Sequence, residues 1–121
     1  MPFVAVKPVF RMFDVVKAKE FYVGYLGFSW DWEHRFEEQA PLYAQVSRDS
    51  FALHLSEHHG DGTPGSVVVV NMTGVEDYHR ELGAKTYRFM RPDLQDQPWG
   101  LEFQVWDPFG NRIRFTEPKA N

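Results

Sequence analysis

The feature that most restricts the fold of this chain of 121 residues is that its landmarks occur twice. Asp14 opens a segment whose apolar residues Ala18, Phe21, Tyr22, Tyr25 and Leu26 follow the i, i+3, i+4, i+7, i+8 stripe of an amphipathic helix, and Gly27 stops it. Thr73 and Glu76 have the spacing of a T-x-x-E capping box, after which Val75, Tyr78, His79 and Leu82 repeat the stripe and Gly83 closes it. An extended apolar run precedes each helix, VFRMF and VVVVNM, and a short run follows each, FSWDW and KTYRF. Each half then ends in a hairpin: LYAQV turns through SRDS into FALHL, and LEFQVW turns through DPFGN into RIRF. Asp14 and Thr73 lie 59 positions apart, Gly27 and Gly83 56, and Asp49 and Asp107 58. A strand-helix-strand-strand-strand unit repeated at that distance predicts an α+β protein of two βαβββ modules rather than one doubly wound sheet. Within a single domain 1–121, the modules are placed at 1–57 and 67–118, joined by the Gly-, Asp- and Pro-containing linker HHGDGTPGS at 58–66.

Alternation along the closing hairpins sorts side chains onto two faces, because strand neighbours point in opposite directions. Leu101, Phe103, Val105, Ile113 and Phe115 share the face expected under the helices. The other face carries Glu102, Gln104, Trp106, Arg112 and Arg114, with Ala52, His54 and Ser56 as its first-module counterpart. A tryptophan among charged groups suits a concave, partly wet surface with apolar walls and a few converging polar groups, the makeup of a small-molecule site.

What is missing narrows the function. The absence of cysteine excludes disulfides, thiolate catalysis and Cys-type zinc or iron-sulfur centres, and fits a reducing cytoplasm. A net charge of -4 gives no electrostatic footprint for nucleic acid. MPFVAVKPVF is broken by prolines and VVVVNM is only strand-length, so neither a signal peptide nor a membrane span is expected, and the chain reads as a soluble intracellular domain. No G-x-S-x-G, glycine-rich phosphate loop or dinucleotide fingerprint is present. Glu102 or His54 could serve as a general base, but neither has a visible nucleophile beside it. Aromatic residues make up 17%, including Trp30, Trp32, Trp99 and Trp106, which points to a ligand pocket or interface, with a larger core as the plainer alternative.

The doubled unit together with FDVVKAKEFYVGYLGF, QPWGLEF and DPFGNRIRF resembles the vicinal-oxygen-chelate superfamily of glyoxalases, extradiol dioxygenases and bleomycin-resistance proteins, over nearly the whole chain from Val6 to Thr116. The first and last segments are shared across the superfamily, whereas QPWG-x-EF is more particular to the bleomycin-resistance branch. The resemblance implies four metal-ligand positions in the enzymes of the group. Here they fall at Lys7, His54, Val67 and Arg114, of which only His54 is a suitable donor. His54, Glu57, His58 and His59 invite a second metal reading. A strand that ends near Ser56 does not make His54 and His58 converge as a helix would, so His58 and His59 are read as solvated linker residues. No cofactor and no metal are therefore expected.

In the bleomycin-resistance branch, flat aromatic side chains line crevices at a dimer boundary. The resemblance implies that Trp99, held out between Pro98 and Gly100, is one such wall, with Trp32 and Tyr43 as others and Ser56, His54, Glu102 and Trp106 alongside. Asp31, Glu33 and Glu102 would favour a cation. Val69, Asn71 and the acidic loop EHRFEEQAP depart from the branch, so the lining differs. Pro8 stands at the hinge through which the family exchanges its first strand, implying a strand-swapped homodimer. The resulting expectation is a cytoplasmic, metal-free, homodimeric protein that sequesters a bleomycin-type glycopeptide. The alternatives are a metal-dependent lyase, isomerase or dioxygenase, or a binder of another planar small molecule.

Overall fold

The structure, a computed structural model, describes residues 2–87 and 90–120. The chain divides between Pro64 and Gly65 into two compact units. Each has the expected order of strand, helix and three strands, so the α+β class and the doubled βαβββ unit are confirmed.

In unit one, β1 (Val9–Arg11) leads to α1 (Val15–Lys19), β2 (Ser29–His34), β3 (Tyr43–Arg48) and β4 (Phe51–Ser56), and the sheet order is β1-β4-β3-β2. β1 runs parallel to β4 and the other pairs are antiparallel. Asp14 caps α1 by accepting the Lys17 N–H at 3.0 Å. The helix then widens into a π-helical stretch, Glu20–Tyr25, where the Leu26 N–H reaches back five residues to the Phe21 carbonyl at 2.8 Å. The apolar stripe survives this widening: Ala18, Phe21, Tyr22, Tyr25 and Leu26 are all buried. They face Ala44, Val46, Leu53 and Leu55, each with no exposed surface, and burial of a valine or leucine side chain contributes about 1.5–3 kcal/mol relative to exposure. Gly27, at φ 78°, takes the left-handed conformation that ends the segment.

The opposite face of this sheet positions the site. Register places Val9, His54, Gln45 and Trp32 in one row and Arg11, Ser56, Tyr43 and His34 in the next. Trp32 joins the row because the register shifts by one residue between Trp30 and Trp32; without that bulge at Asp31 its side chain would point the other way.

Unit two contains β5 (Val67–Asn71), α2 (Val75–Gly83), β6 (Gln95–Gln97), β7 (Gly100–Trp106) and β8 (Arg112–Pro118), in sheet order β5-β8-β7-β6. Phe103, Val105, Ile113 and Phe115 are buried, with the Tyr78 ring of α2 5.8 Å from Phe103 and 5.1 Å from Phe115. The start of α2 differs from the capping-box expectation. Gly74, at φ 77°, is the N-cap, and Glu117 Oε1 accepts the N–H groups of Gly74 and Val75 at 3.0 and 3.1 Å. A carboxylate from the last strand thus does the work expected of Thr73. The strand expected at KTYRF also differs: residues 85–87 form none, and Arg88 and Phe89 lie outside the described residues. The strand forms instead at the polar Gln95–Gln97, an edge position that needs no apolar face. Upstream of it, His79 Nε2 donates to the Pro92 carbonyl at 2.7 Å.

Gln97 pairs with Gly100, so Pro98 and Trp99 form a two-residue turn. A Cβ on Gly100 would stand 2.3 Å from the Glu117 carbonyl oxygen, which makes glycine obligatory where β7 and β8 approach. In the other hairpin turn, Asp107 Oδ1 accepts the N–H groups of Phe109 and Asn111 at 2.9 and 2.8 Å, and Gly110 sits at φ 89°. No helix among the described residues is long and apolar enough to cross a membrane.

Candidate functional site

Unit one presents a solvent-open cleft of about 450 Å³ lined by Trp32, His34, Phe36, Tyr43, His58 and Asp61. Trp32 and Tyr43 are stacked, with centroids 6.1 Å apart and planes 14° from parallel. His54 meets both rings edge-on, at 5.3 Å from Trp32 and 5.1 Å from Tyr43. Trp32 keeps 43% of its surface exposed, so the stack is a platform rather than core.

A relay of hydrogen bonds fixes this platform. Gln45 Nε2 donates to Asp31 Oδ2 at 3.0 Å, which leaves Gln45 Oε1 to accept from His54 Nε2 at 3.0 Å. His54 Nδ1 is then the acceptor for the Tyr43 hydroxyl at 2.7 Å. Burial first, and the Lys7 ammonium second, pull the His54 imidazole below its ordinary value, so it is the neutral ring that this relay requires. Burial, with the Asp61 carboxylate second, raises the Tyr43 phenol, which stays a donor.

Ser56 is fully buried. Its hydroxyl donates to Asp61 Oδ2 at 2.8 Å and accepts the His58 N–H at 3.0 Å. Ser56 thereby holds the segment after β4 in place, and Asp61 and His58 are what reach the cleft. Gly62 allows the same segment to lie against β1, where a Cβ would come within 2.8 Å of the Val9 carbonyl oxygen. His58 is therefore not the solvated linker residue expected from the sequence: its ring lies 6.3 Å from Tyr43 and 6.2 Å from Phe36, with Nδ1 3.1 Å from the Ser56 hydroxyl.

The site residues expected in unit two fall into two groups. Trp99, 55% exposed, donates its indole N–H to Glu102 Oε2 at 3.1 Å, and the Thr116 hydroxyl donates to the same oxygen at 2.9 Å. Glu102 is itself buried, so it braces the tryptophan. Trp106, 48% exposed, lies under the Arg112 guanidinium at 5.6 Å. At the opposite end of the chain, Pro8 accepts the His54 N–H on its carbonyl at 2.9 Å, so β1 beyond it pairs within its own chain, while Phe3, Val4 and Val6 ahead of it are exposed.

Sequence reasoning missed His34, Phe36, His58 and Asp61. The signal for His34 was available, since a residue two after Trp32 shares its face. Phe36, His58 and Asp61 lie outside the strands, where periodicity carries no information.

The sequence model of the glyoxalase superfamily proteins matches residues 1–121, and the chain belongs to that superfamily. No curated protein gives a significant match. Among solved structures, the chain is similar to the bleomycin-binding protein from bleomycin-producing Streptomyces verticillus complexed with copper(II)-bleomycin, at 26% identity and a TM-score of 0.63, covering 98% of this chain and 99% of that one. It is also similar to an antibiotic binding protein from Streptomyces sp. CB03234, at 22% identity and a TM-score of 0.68, covering 98% and 100%. A third likeness, to a bleomycin-binding protein complexed with bleomycin, has 16% identity and a TM-score of 0.71, covering 97% and 100%.

The side chains at the positions implied for a chelated metal do not fit a divalent cation. His54 has both ring nitrogens engaged, by Tyr43 and Gln45. Lys7 is close enough to depress its protonation, and an ammonium that repels a proton repels a metal ion more strongly. Val67 offers no donor and Arg114 is a cation. Among the described residues, no three His, Cys, Asp or Glu side chains lie together as a metal-binding group.

Proposed function

We propose that the chain sequesters a planar, cationic antibiotic of the bleomycin type without altering it. The observation that supports this reading is the Trp32–Tyr43 stack, open on one side to a cleft in which Asp61 is the acidic lining residue among the described residues. A flat cation gains dispersion and cation–π attraction from the platform and Coulomb attraction from the carboxylate. Membership of the superfamily, and similarity to a bleomycin-binding protein, support the ligand class.

In this reading Trp32, Tyr43 and Asp61 touch the ligand, His54 and Gln45 hold Tyr43, and Ser56 holds Asp61. Trp99, braced by Glu102, is the stacking surface offered by unit two, and Trp106 stands at the far end of β7 from it. The exposed Phe3, Val4 and Val6 ahead of Pro8 support an arm exchanged within a homodimer, since such side chains favour burial against a second copy. A chain without cysteine suits the cytoplasm, where such a binder would act. Titrating bleomycin into the protein at micromolar concentration is expected to quench tryptophan fluorescence to saturation. Fluorescence that stays unchanged once inner-filter absorption is corrected would remove this ligand class.

A further inference from the structure

The uncovered face of unit two poses a different question. Register sets Val67, Arg112 and Trp106 in one row and Val69, Arg114 and Gln104 in the next. Two guanidinium-bearing residues thus stand two apart on one strand, about 7 Å between their Cα atoms, on the same face. Like charges at that spacing repel, and a folded protein ordinarily answers them with carboxylates. Here none does. Arg112 Nη1 donates to the Gln104 amide oxygen at 3.1 Å and its guanidinium lies over Trp106. Arg114 is half-buried, its Nε is buried without a hydrogen-bond partner among the described residues, and no side chain there pairs with it. The nearest acid by register, Glu102, has Oε2 taken by Trp99 and Thr116.

A guanidinium withdrawn from water without a counter-charge is costly, and the fork it presents matches an oxyanion. Beside its register partner Gln104 lies exposed apolar surface: Trp106, Val67 and Val69 are 48%, 42% and 57% exposed. We infer that this face binds a small planar molecule carrying a carboxylate, with the carboxylate forked by Arg114, Arg112 flanking it, and the flat body resting on Trp106 and the two valines. This goes beyond the cation platform of unit one and does not depend on it.

The test is calorimetric titration of the intact chain with 2-naphthoate and with its neutral counterpart 2-naphthamide. Wild type is expected to bind the carboxylate roughly tenfold or more tightly than the amide, with the Trp106 indole N–H resonance shifting only for the carboxylate. Arg114→Gln is expected to reduce that preference to about threefold or less, and Arg112→Gln to reduce it partly. Equal affinity for the two probes in wild type, binding of neither, or a full preference retained in Arg114→Gln would overturn the inference. The wild-type comparison alone decides the matter if a variant does not fold. A carboxylate preference that moves with Asp61→Asn instead would assign the effect to unit one and overturn it as well.

Discussion

In unit one, the first strand pairs Val9 with His54 and Arg11 with Ser56; in unit two, the same pairing sets Val67 against Arg112 and Val69 against Arg114. The backbones repeat, but at two matching register positions a neutral imidazole and a hydroxyl give way to two cations. His54 and Ser56 are absorbed into hydrogen bonds that hold a tyrosine and an aspartate at a cleft. Among the described residues, Arg112 has an amide and an indole for company, and Arg114 has no side-chain partner. A duplicated scaffold can therefore keep its core pattern, fixed by the helix-facing residues, while the opposite faces diverge in charge and polarity.

The comparison breaks most severely at Gly100. Gly100→Ala forces a Cβ into the Glu117 carbonyl and is expected to destabilise unit two by about 3 kcal/mol, seen as a drop in the urea midpoint. Because the turn that carries Trp99 depends on that approach, Trp99 should lose its bond to Glu102 while the Trp32–Tyr43 platform stays intact. Next in size is the loss of the platform itself. Trp32→Ala is expected to weaken bleomycin binding roughly ten- to hundredfold in calorimetry with little change in stability, since Trp32 is already 43% exposed. Trp106→Ala should cost about threefold or less with the same ligand, which separates the two faces.

Asp61→Asn sharpens the charge argument. It is expected to weaken a cationic ligand by roughly three- to tenfold at low salt, and by less as salt rises, because the Asp61 side chain is 45% exposed. The smallest effect is on stability against pH. The folded-state value of His54 lies below its unfolded value, so the unfolded chain takes up the proton first as the solution is acidified. Stability is then full above the ordinary histidine range and falls as pH drops from that range toward the depressed folded value. Thermal melts between neutral and mildly acidic pH should show this slope in wild type, and a shallower one in His54→Gln.

Much of the fold was legible because it rests on periodicity. The stripe from Ala18 to Leu26, the two hairpins and the doubled order are patterns of apolar spacing, and the core obeys them. What periodicity does not carry was missed. The edge strand Gln95–Gln97 has no buried face to announce it. The cap of α2 comes from Glu117, far along the sequence, and no local motif records it. The site was half legible: Trp32, Tyr43 and His54 come together, but only through a bulge at Asp31 that no residue pattern marked. Phe36, His58 and Asp61 were hidden in loops, and Ser56 and Glu102 proved to be supports behind the surface. The open guanidinium of Arg114 was visible as a residue type and not as a lack of partners, because that is a property of the folded neighbourhood.

Calorimetry with metal-free bleomycin, on protein first dialysed against a chelator and kept in it, bears most directly on the proposal that unit one holds its ligand without a protein-bound metal ion. Saturable binding whose affinity is unchanged by the chelator, and falls roughly ten- to hundredfold in Trp32→Ala, is the expected result. Binding that vanishes in the chelator and returns only when the protein is reloaded with one equivalent of a divalent cation would contradict it.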